Sequence, residues 1–269
     1  MNIVCLNGRY LKENEAKISV GDAGFLYGEG IYETLRTVDG KLMNLEAHLE
    51  RLGQSARIIG MNLKEIEKIG KWAQQVVKKN EFKSEARVRI TVSGGVHGFG
   101  TPAEKPTILI TAVPLASVGA QRARGVSVIT FLIERPLPEA KTTFLVPAML
   151  ARQVLKKSRA YEAILVDRNG YVTEGSISNV FMVKKGIIYT PKSGILGGTT
   201  RARIIELARQ HKWRLKVRDF KVRELFRADE VFICNAPRGI VPVRRIDGKI
   251  IGNGKMGEVT RRVWEGLKG

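Results

Sequence analysis

Strand-length apolar runs that end in Asx-Gly pairs recur along this chain and limit what it can fold into. Ile3–Leu6 runs into Asn7-Gly8, and Thr34–Val38 into Asp39-Gly40. Such pairs adopt positive φ at low cost and so favour the tight turns of β-hairpins. Ala86–Val92 alternates with period two and Thr107–Val113 is nearly continuously apolar, both of which are strand patterns. Two segments of this half carry the helical period instead. Leu45–Ile59 places Leu45, Leu49, Leu52 and Ile59 on one stripe, and Leu63–Lys79 does so with Leu63, Ile66, Ile69, Ala73 and Val76, with Asn62 as the expected cap.

Periodicity fades over Pro114–Gly125, where Pro, Ser and Gly gather, so a domain boundary is expected there. With 269 residues the chain can supply two cores. The expected organisation is a small first domain over 1–115, an interdomain loop over 116–125 and a larger second domain over 126–269. The second half is richer in strand patterns: Val126–Ile133, Glu162–Asp167, Tyr171–Thr173, Val180–Lys184, Ile187–Thr190, Arg214–Arg218, Glu230–Cys234 and Ile240–Arg244. Helical patterns near Pro147–Lys157, Thr199–His211 and Gly257–Leu267 interrupt them, which predicts an α+β fold.

Charge is the unusual bulk property, at a formal +20. A cationic nucleic-acid-binding module would concentrate that charge. Here bases alternate with acids, as in Lys64-Glu65-Ile66-Glu67-Lys68 and Lys221-Val222-Arg223-Glu224, so a solvated surface without a nucleic-acid partner is expected. Cys5 and Cys234 stand far apart without ligand-spaced companions, which argues against a disulfide framework or a metal site. The sequence shows neither an apolar run of membrane-spanning length nor a leader pattern at Met1–Tyr10, so no membrane partner and a cytoplasmic setting are expected.

Four places carry residues suited to chemistry. Glu174 stands in Asn169-Gly170-Tyr171-Val172-Thr173-Glu174-Gly175-Ser176-Ile177-Ser178-Asn179, beside a bend of small polar residues; read alone, it is as well explained as a solvated loop acid. Leu196-Gly197-Gly198-Thr199-Thr200-Arg201 precedes a helical run, where unpaired N–H groups and hydroxyls suit a phosphate, although the same residues also make an ordinary capped loop. Arg51 flanks the apolar stripe of the first helix and can turn inward to a phosphate or form a surface ion pair, while His48 suits packing or hydrogen bonding. Lys141, among apolar residues before a helix, is a candidate amine nucleophile that chemistry alone does not single out from 46 bases. No Ser-His-Asp set emerges.

In their order and spacing these pieces resemble a known family. Asp22-Ala23-Gly24, Tyr27-Gly28-Glu29-Gly30-Ile31-Tyr32-Glu33-Thr34-Leu35-Arg36, His48–Leu52, Lys141, Tyr161–Leu165, Glu174–Phe181, Gly198–Arg201, Ala228–Phe232 and Ile240–Val243 follow one another across nearly the whole chain. This set is similar to the class IV, D-amino-acid-aminotransferase-like pyridoxal-phosphate enzymes. That group includes branched-chain aminotransferases, D-amino acid aminotransferases, (R)-amine transaminases and aminodeoxychorismate lyases. The resemblance implies a two-domain fold of type IV with the cofactor between the domains, and a homodimer or higher assembly. It implies that Lys141 carries pyridoxal 5′-phosphate as a Schiff base and shuttles the substrate proton, and that Glu174 faces the pyridine nitrogen. Arg51, Thr199 and Thr200 would hold the phosphate, and Ile177, Ser178, Asn179, Gly198 and Ala236 would complete the cofactor contacts.

Some positions depart from the family. Phe144 and Val146 stand where relatives often have Asn or Tyr, and Ala236 where they often have Thr or Ser. For substrate, the resemblance implies Tyr27, Tyr32 and Arg36 as aromatic walls and a carboxylate anchor, with His97 and Arg238 as further candidates. The expected activity is ping-pong transfer of an amino group from leucine, isoleucine or valine to 2-oxoglutarate. Val231-Phe232-Ile233-Cys234-Asn235-Ala236 is closer to the lyases, which release pyruvate from 4-amino-4-deoxychorismate, so a lyase stands as the alternative. D-amino acid or (R)-amine transamination is a further one, weakened because His97 occupies a loop in which several relatives place an arginine.

Overall fold

Asn7 and Gly8 take φ of 50° and 83°, and Asp39 and Gly40 take 48° and 74°, so both pairs close hairpins in the left-handed conformation their chemistry favours. The structure is a computed structural model that describes residues 2–101 and 105–267. The chain divides into one unit of Met1–Ala116 with Ala140–Phe144, and a second of Ser117–Glu139 with Leu145–Gly269.

The first unit contains β1 (Ile3–Leu6), β2 (Arg9–Lys12), α1 (Ala23–Tyr27), β3 (Gly30–Val38), β4 (Lys41–Leu42), α2 (Leu45–Ile58), α3 (Ile66–Asn80), β5 (Ala86–Ser93) and β6 (Thr107–Pro114). Its antiparallel sheet runs β2-β1-β6-β5-β3-β4. Alternation along the strands sorts side chains between faces. Ile31, Leu35, Val88, Ile90, Val92, Ile108 and Ile110 point into the core with Leu52, Ile69, Ala73 and Val76 of the two helices. Tyr32, Thr34, Arg36, Arg87, Arg89 and Thr91 alternate with them, less buried. The cap expected at Asn62 is not used. Met61 donates to Ala56 O and Leu63 to Met61 O, a turn that consumes these residues, and α3 starts after Glu65.

The second unit contains α4 (Gly119–Arg124), β7 (Val126–Leu132), α5 (Val146–Ser158), β8 (Glu162–Val166), β9 (Val172–Gly175), β10 (Asn179–Lys184), β11 (Ile187–Thr190), α6 (Thr199–Gln210), β12 (Leu215–Val217), α7 (Val222–Leu225), β13 (Glu230–Asn235), β14 (Gly239–Ile246), β15 (Lys249–Ile250) and α8 (Glu258–Gly266). The sheet order is β12-β11-β10-β13-β14-β7-β8-β9, with β15 on β14. β10 and β13 are buried along most of their length. Phe181 and Phe232 stack at 4.8 Å beneath α6 and α8, in a core with Ile204 and Val263.

The α+β expectation therefore holds. Two local expectations do not: α4 occupies the stretch read as an irregular loop, and Ala140–Phe144 belongs with the first unit. Among the described residues no helix is long and apolar enough to cross a membrane.

Candidate active site

α2 carries two buried stripes. Leu45, Leu52 and Ala56 make the apolar one, and His48, Arg51 and Ser55 lie beside it at helical spacing, each buried although polar. Such groups require partners, since an unpaired polar group in a core costs free energy. Glu33 supplies two of them, at a β3 position that faces the helices between Ile31 and Leu35. Its carboxylate accepts from Arg51 Nε and Nη2 at 2.7 Å each, and His48 Nδ1 lies 2.7 Å away. Burial opposes the charge on Glu33, but the Arg51 charge and the hydrogen bonds from Arg51 and His48 outweigh it and hold the carboxyl down at about 2.

Ser55 serves the lysine. Its hydroxyl accepts the Lys141 N–H at 3.0 Å, Tyr32 N donates to Lys141 O at 2.9 Å, and Thr143 N donates to Gly30 O at 2.8 Å. The Lys141 backbone is thus laid along β3 like a short added strand, with an Ile31–Thr142 bridge. A side chain at Gly30 would run into Thr143, 2.7 Å from its hydroxyl, which suits glycine to this close approach. The Lys141 amine lies 4.5 Å from the centre of the Tyr32 ring, and the Arg89 guanidinium 4.0 Å from the same centre.

In the second unit Glu174 is 5% exposed. Its oxygens accept from Arg135 Nε at 2.8 Å and from Leu196 N at 2.9 Å. Arg135 also donates to Pro138 O. Leu196 leads into α6, whose cap is Gly198 and whose first turn holds Thr199 and Thr200. Asn179 joins the cluster by donating to Leu196 O at 2.9 Å. Gly198 sits so close to Asn179 that a Cβ there would fall 1.8 Å from the amide oxygen. An acid and a helix N-terminus of backbone N–H groups and hydroxyls are thereby fixed side by side, an acceptor that suits a pyridinium N–H and donors that suit a phosphate.

The remaining expected residues are more scattered. Ser178 and Asn179 are buried, Ile177 is exposed, and Ala236 lies in the turn between β13 and β14. Tyr27 is exposed with Phe99 edge-on at 5.2 Å. Arg36 pairs in register with Arg87. His97 does not present an open imidazole: Nε2 lies 3.0 Å from Glu29 and Nδ1 lies 2.9 Å from Gly98 O. The Arg238 guanidinium sits over the Tyr161 ring at 5.2 Å. Glu33, Ser55, Arg89 and Arg135 escaped the sequence reading. For Glu33 and Ser55 the signal was present, as polar residues at core-facing positions of a strand and a helix.

An amine pinned on one strand, a buried acid, and a helix N-terminus shaped for an anion are the equipment of pyridoxal-phosphate chemistry. The family profile described as Amino-transferase class IV matches residues 30–246. The chain belongs to the class IV aminotransferases, pyridoxal-phosphate-dependent enzymes. A Methanocaldococcus jannaschii protein named "Putative branched-chain-amino-acid aminotransferase" is 33% identical, covering 98% of this chain and 95% of that one. D-alanine aminotransferase of Staphylococcus aureus strain N315 is 34% identical, covering 100% and 97%. A T.th. branched-chain amino acid aminotransferase complexed with N-(5′-phosphopyridoxyl)-L-glutamate is similar in structure, with a TM-score of 0.91 and 28% identity over 99% of this chain and 93% of that one.

Two outcomes follow from the geometry. The fall of Glu33 from its ordinary 4.5 to about 2 corresponds to about 3 kcal/mol of stability, present above about pH 4.5 and lost as the pH drops toward 2. Glu33→Gln is therefore expected to lower Tm by several degrees at neutral pH, and the gap to the wild type should narrow as the pH falls through that window; melting curves across it check this. Gly198→Ala forces the Asn179 amide aside and should weaken pyridoxal-phosphate binding by about tenfold or more, with circular dichroism unchanged. Equal affinity in a direct titration would show that the cup does not depend on this contact.

Proposed function

We propose that this enzyme transfers the amino group of leucine, isoleucine or valine to 2-oxoglutarate in two half-reactions. The named relatives divide between branched-chain and D-alanine aminotransferases at nearly equal identity, so likeness alone does not choose. The observation that carries the reading is the environment of Tyr32, whose ring has both the Lys141 amine and the Arg89 guanidinium over it. An aromatic wall beside the amine suits an aliphatic side chain. Arg89 with the register pair Arg36 and Arg87 suits the second carboxylate of a dicarboxylate acceptor, because like charges opposite one another in a sheet repel until an anion lies among them. The close approach of His97 to Glu29 speaks against its use as the carboxylate anchor of a D-amino acid.

Bound pyridoxal phosphate supplies an electron sink for the carbanion at the substrate Cα. The chain's own residues do the rest. Lys141 would be the covalent anchor, and its Nζ would pass the proton from the substrate Cα to the cofactor's C4′ in the first half-reaction and from C4′ to the acceptor's Cα in the second. Glu174, held by Arg135 and Leu196 N, would face the ring nitrogen. By the family resemblance Arg51, braced by Glu33, is assigned to the phosphate, as are Gly198, Thr199 and Thr200, with Ile177, Ser178, Asn179 and Ala236 as further cofactor contacts. Tyr27, Tyr32 and Arg36 face the substrate.

Lys141→Ala is expected to abolish the borohydride-reducible cofactor adduct and to reduce turnover by at least about a thousandfold. In a donor panel with 2-oxoglutarate, branched-chain amino acids should lead. D-alanine as the preferred donor, or pyruvate release from 4-amino-4-deoxychorismate without transamination, would reverse the assignment.

We also infer a homodimer. Val20, Phe25, Leu26, Tyr27, Val96 and Phe99 of the first unit are all exposed, an apolar area that a monomer would leave in water. Sedimentation equilibrium should give twice the chain mass, and Phe25→Glu should shift it toward the monomer. A monomeric wild type ends this inference.

A further inference from the structure

Glu162 opens β8, a strand otherwise made of Ala163, Ile164, Leu165 and Val166, and all five residues are buried. An acid at the head of such a run needs a reason to be there, because a carboxylate is costly in a core. Its Oε1 accepts from Ile177 N at 2.9 Å, from Ser178 Oγ at 2.9 Å and from Ser176 Oγ at 3.5 Å. All three residues of the bend between β9 and β10 therefore converge on one oxygen. Gly175 leaves the space for it, since a Cβ there would fall 2.2 Å from Ser178 Oγ and 2.5 Å from Glu162 Oε1.

The bend is placed to matter. Glu174 precedes it, and Asn179, which follows it, reaches Leu196 O and crowds Gly198 at the start of α6. The other Glu162 oxygen, Oε2, is buried without a hydrogen-bond partner among the described residues. Glu162 lines a small pocket with Tyr161, Asn235 and Arg238. Asn235 ties that pocket back to the bend by donating to Ile177 O at 3.3 Å, and it accepts from Arg238 N at 2.9 Å.

We propose that Glu162 is a positioning residue that fixes the Ser176–Ser178 bend for cofactor binding, and that it does so as the neutral acid. The proposal rests on the pyridoxal-phosphate reading of the site. Burial raises the Glu162 carboxyl to about 7 against the donors at Ile177, Ser178 and Ser176 and the charge of Arg238. The groups facing it are few. Arg238 is the cation acting on it from the β13–β14 turn, burial raises the neighbouring Tyr161 phenol, and burial pushes the Cys234 thiol of β13 up to about 12, with Arg201 of α6 acting on that thiol. Tyr161 and Cys234 thus stay neutral where Glu162 ionises. An ionised Glu162 would hold a charge with one oxygen undonated. Relief requires drawing Arg238 inward or admitting water, and either displaces the bend through Asn235. The new negative charge also opposes the cofactor's anionic phosphate.

The test uses the full-length holoenzyme, with pyridoxal-phosphate dissociation followed by the visible absorption of the bound cofactor. Glu162→Gln keeps the accepting oxygen and carries no charge, so its affinity at about pH 6 should lie within about twofold of the wild type. Glu162→Ala leaves three donors unanswered and should weaken binding by about tenfold or more. Between about pH 6 and pH 9 the wild type should lose affinity more steeply than Glu162→Gln. Amide exchange of the apo-proteins gives a second reading: Ile177 protection, corrected for intrinsic rates, should fall over that range in the wild type and stay level in Glu162→Gln. Alanine binding as tightly as wild type, or glutamine binding as weakly as alanine, overturns the proposal. So do parallel pH profiles for wild type and glutamine variant. If the wild type takes up no pyridoxal phosphate at all, the parent reading fails and this one falls with it; uptake that is indifferent to Glu162 sinks only this one.

Discussion

The carboxylate of Glu33 is the charge around which the first unit is organised. It occupies a strand position where a leucine would be the easy choice, and it remains ionised because the Arg51 guanidinium meets it with two parallel hydrogen bonds and His48 with a third contact. Breaking the cluster costs stability, but the intact cluster gains little over an apolar pair of similar size, since two desolvated charges recover little more than they lose. Its consequence is geometric. With His48 and Arg51 locked to β3, the rotation of α2 about its axis is set, and Ser55, two turns from His48, is delivered to the Lys141 N–H. The place of the Lys141 backbone therefore follows from a salt bridge that does not touch it.

The second unit solves the opposite problem with the same residue type. Glu162 is as deeply buried as Glu33 but, among the described residues, meets neutral donors on one oxygen and none on the other, and its carboxyl is raised to about 7 where that of Glu33 is lowered to about 2. Local donors, not depth, decide which form persists. Glu174 is a third case, with Arg135 on one oxygen and a backbone N–H on the other.

The α+β architecture was legible because period-two and helical patterns seldom overlap in this chain, and because Asx-Gly pairs mark where strands end. Lys141 and Glu174 were singled out by the order of motifs, not by their own surroundings; an isolated lysine in a loop carries no label. What stayed hidden has physical reasons. α1 is only five residues long, too short for a period to show, and rests on Asp22 accepting from Gly24 N. Arg135 meets Glu174 across 39 residues of chain, a tertiary pairing that composition cannot signal. Phe144 and Val146 break the family pattern and are both exposed in this chain, and nothing in the structure explains the substitution.

Relatives with different named substrates share this scaffold at similar identity, and the alternation of strands explains how that is tolerable. In β3 and β5 the residues that hold the unit together, Ile31, Glu33, Leu35, Val88 and Ile90, face the helices, while Tyr32, Arg36, Arg87 and Arg89 face the other way. A change on the second set leaves the first untouched, because neighbouring positions on a strand point to opposite faces. If Tyr32 and Arg36 face the substrate as proposed, substrate choice can drift along one face while the face that positions Lys141 stays fixed. Tyr32 is where the two requirements meet, since its backbone N–H holds Lys141 O and its ring lies against the Lys141 amine. The side chain at that position is thus free to vary in size and polarity only so far as the amine beside it remains in place.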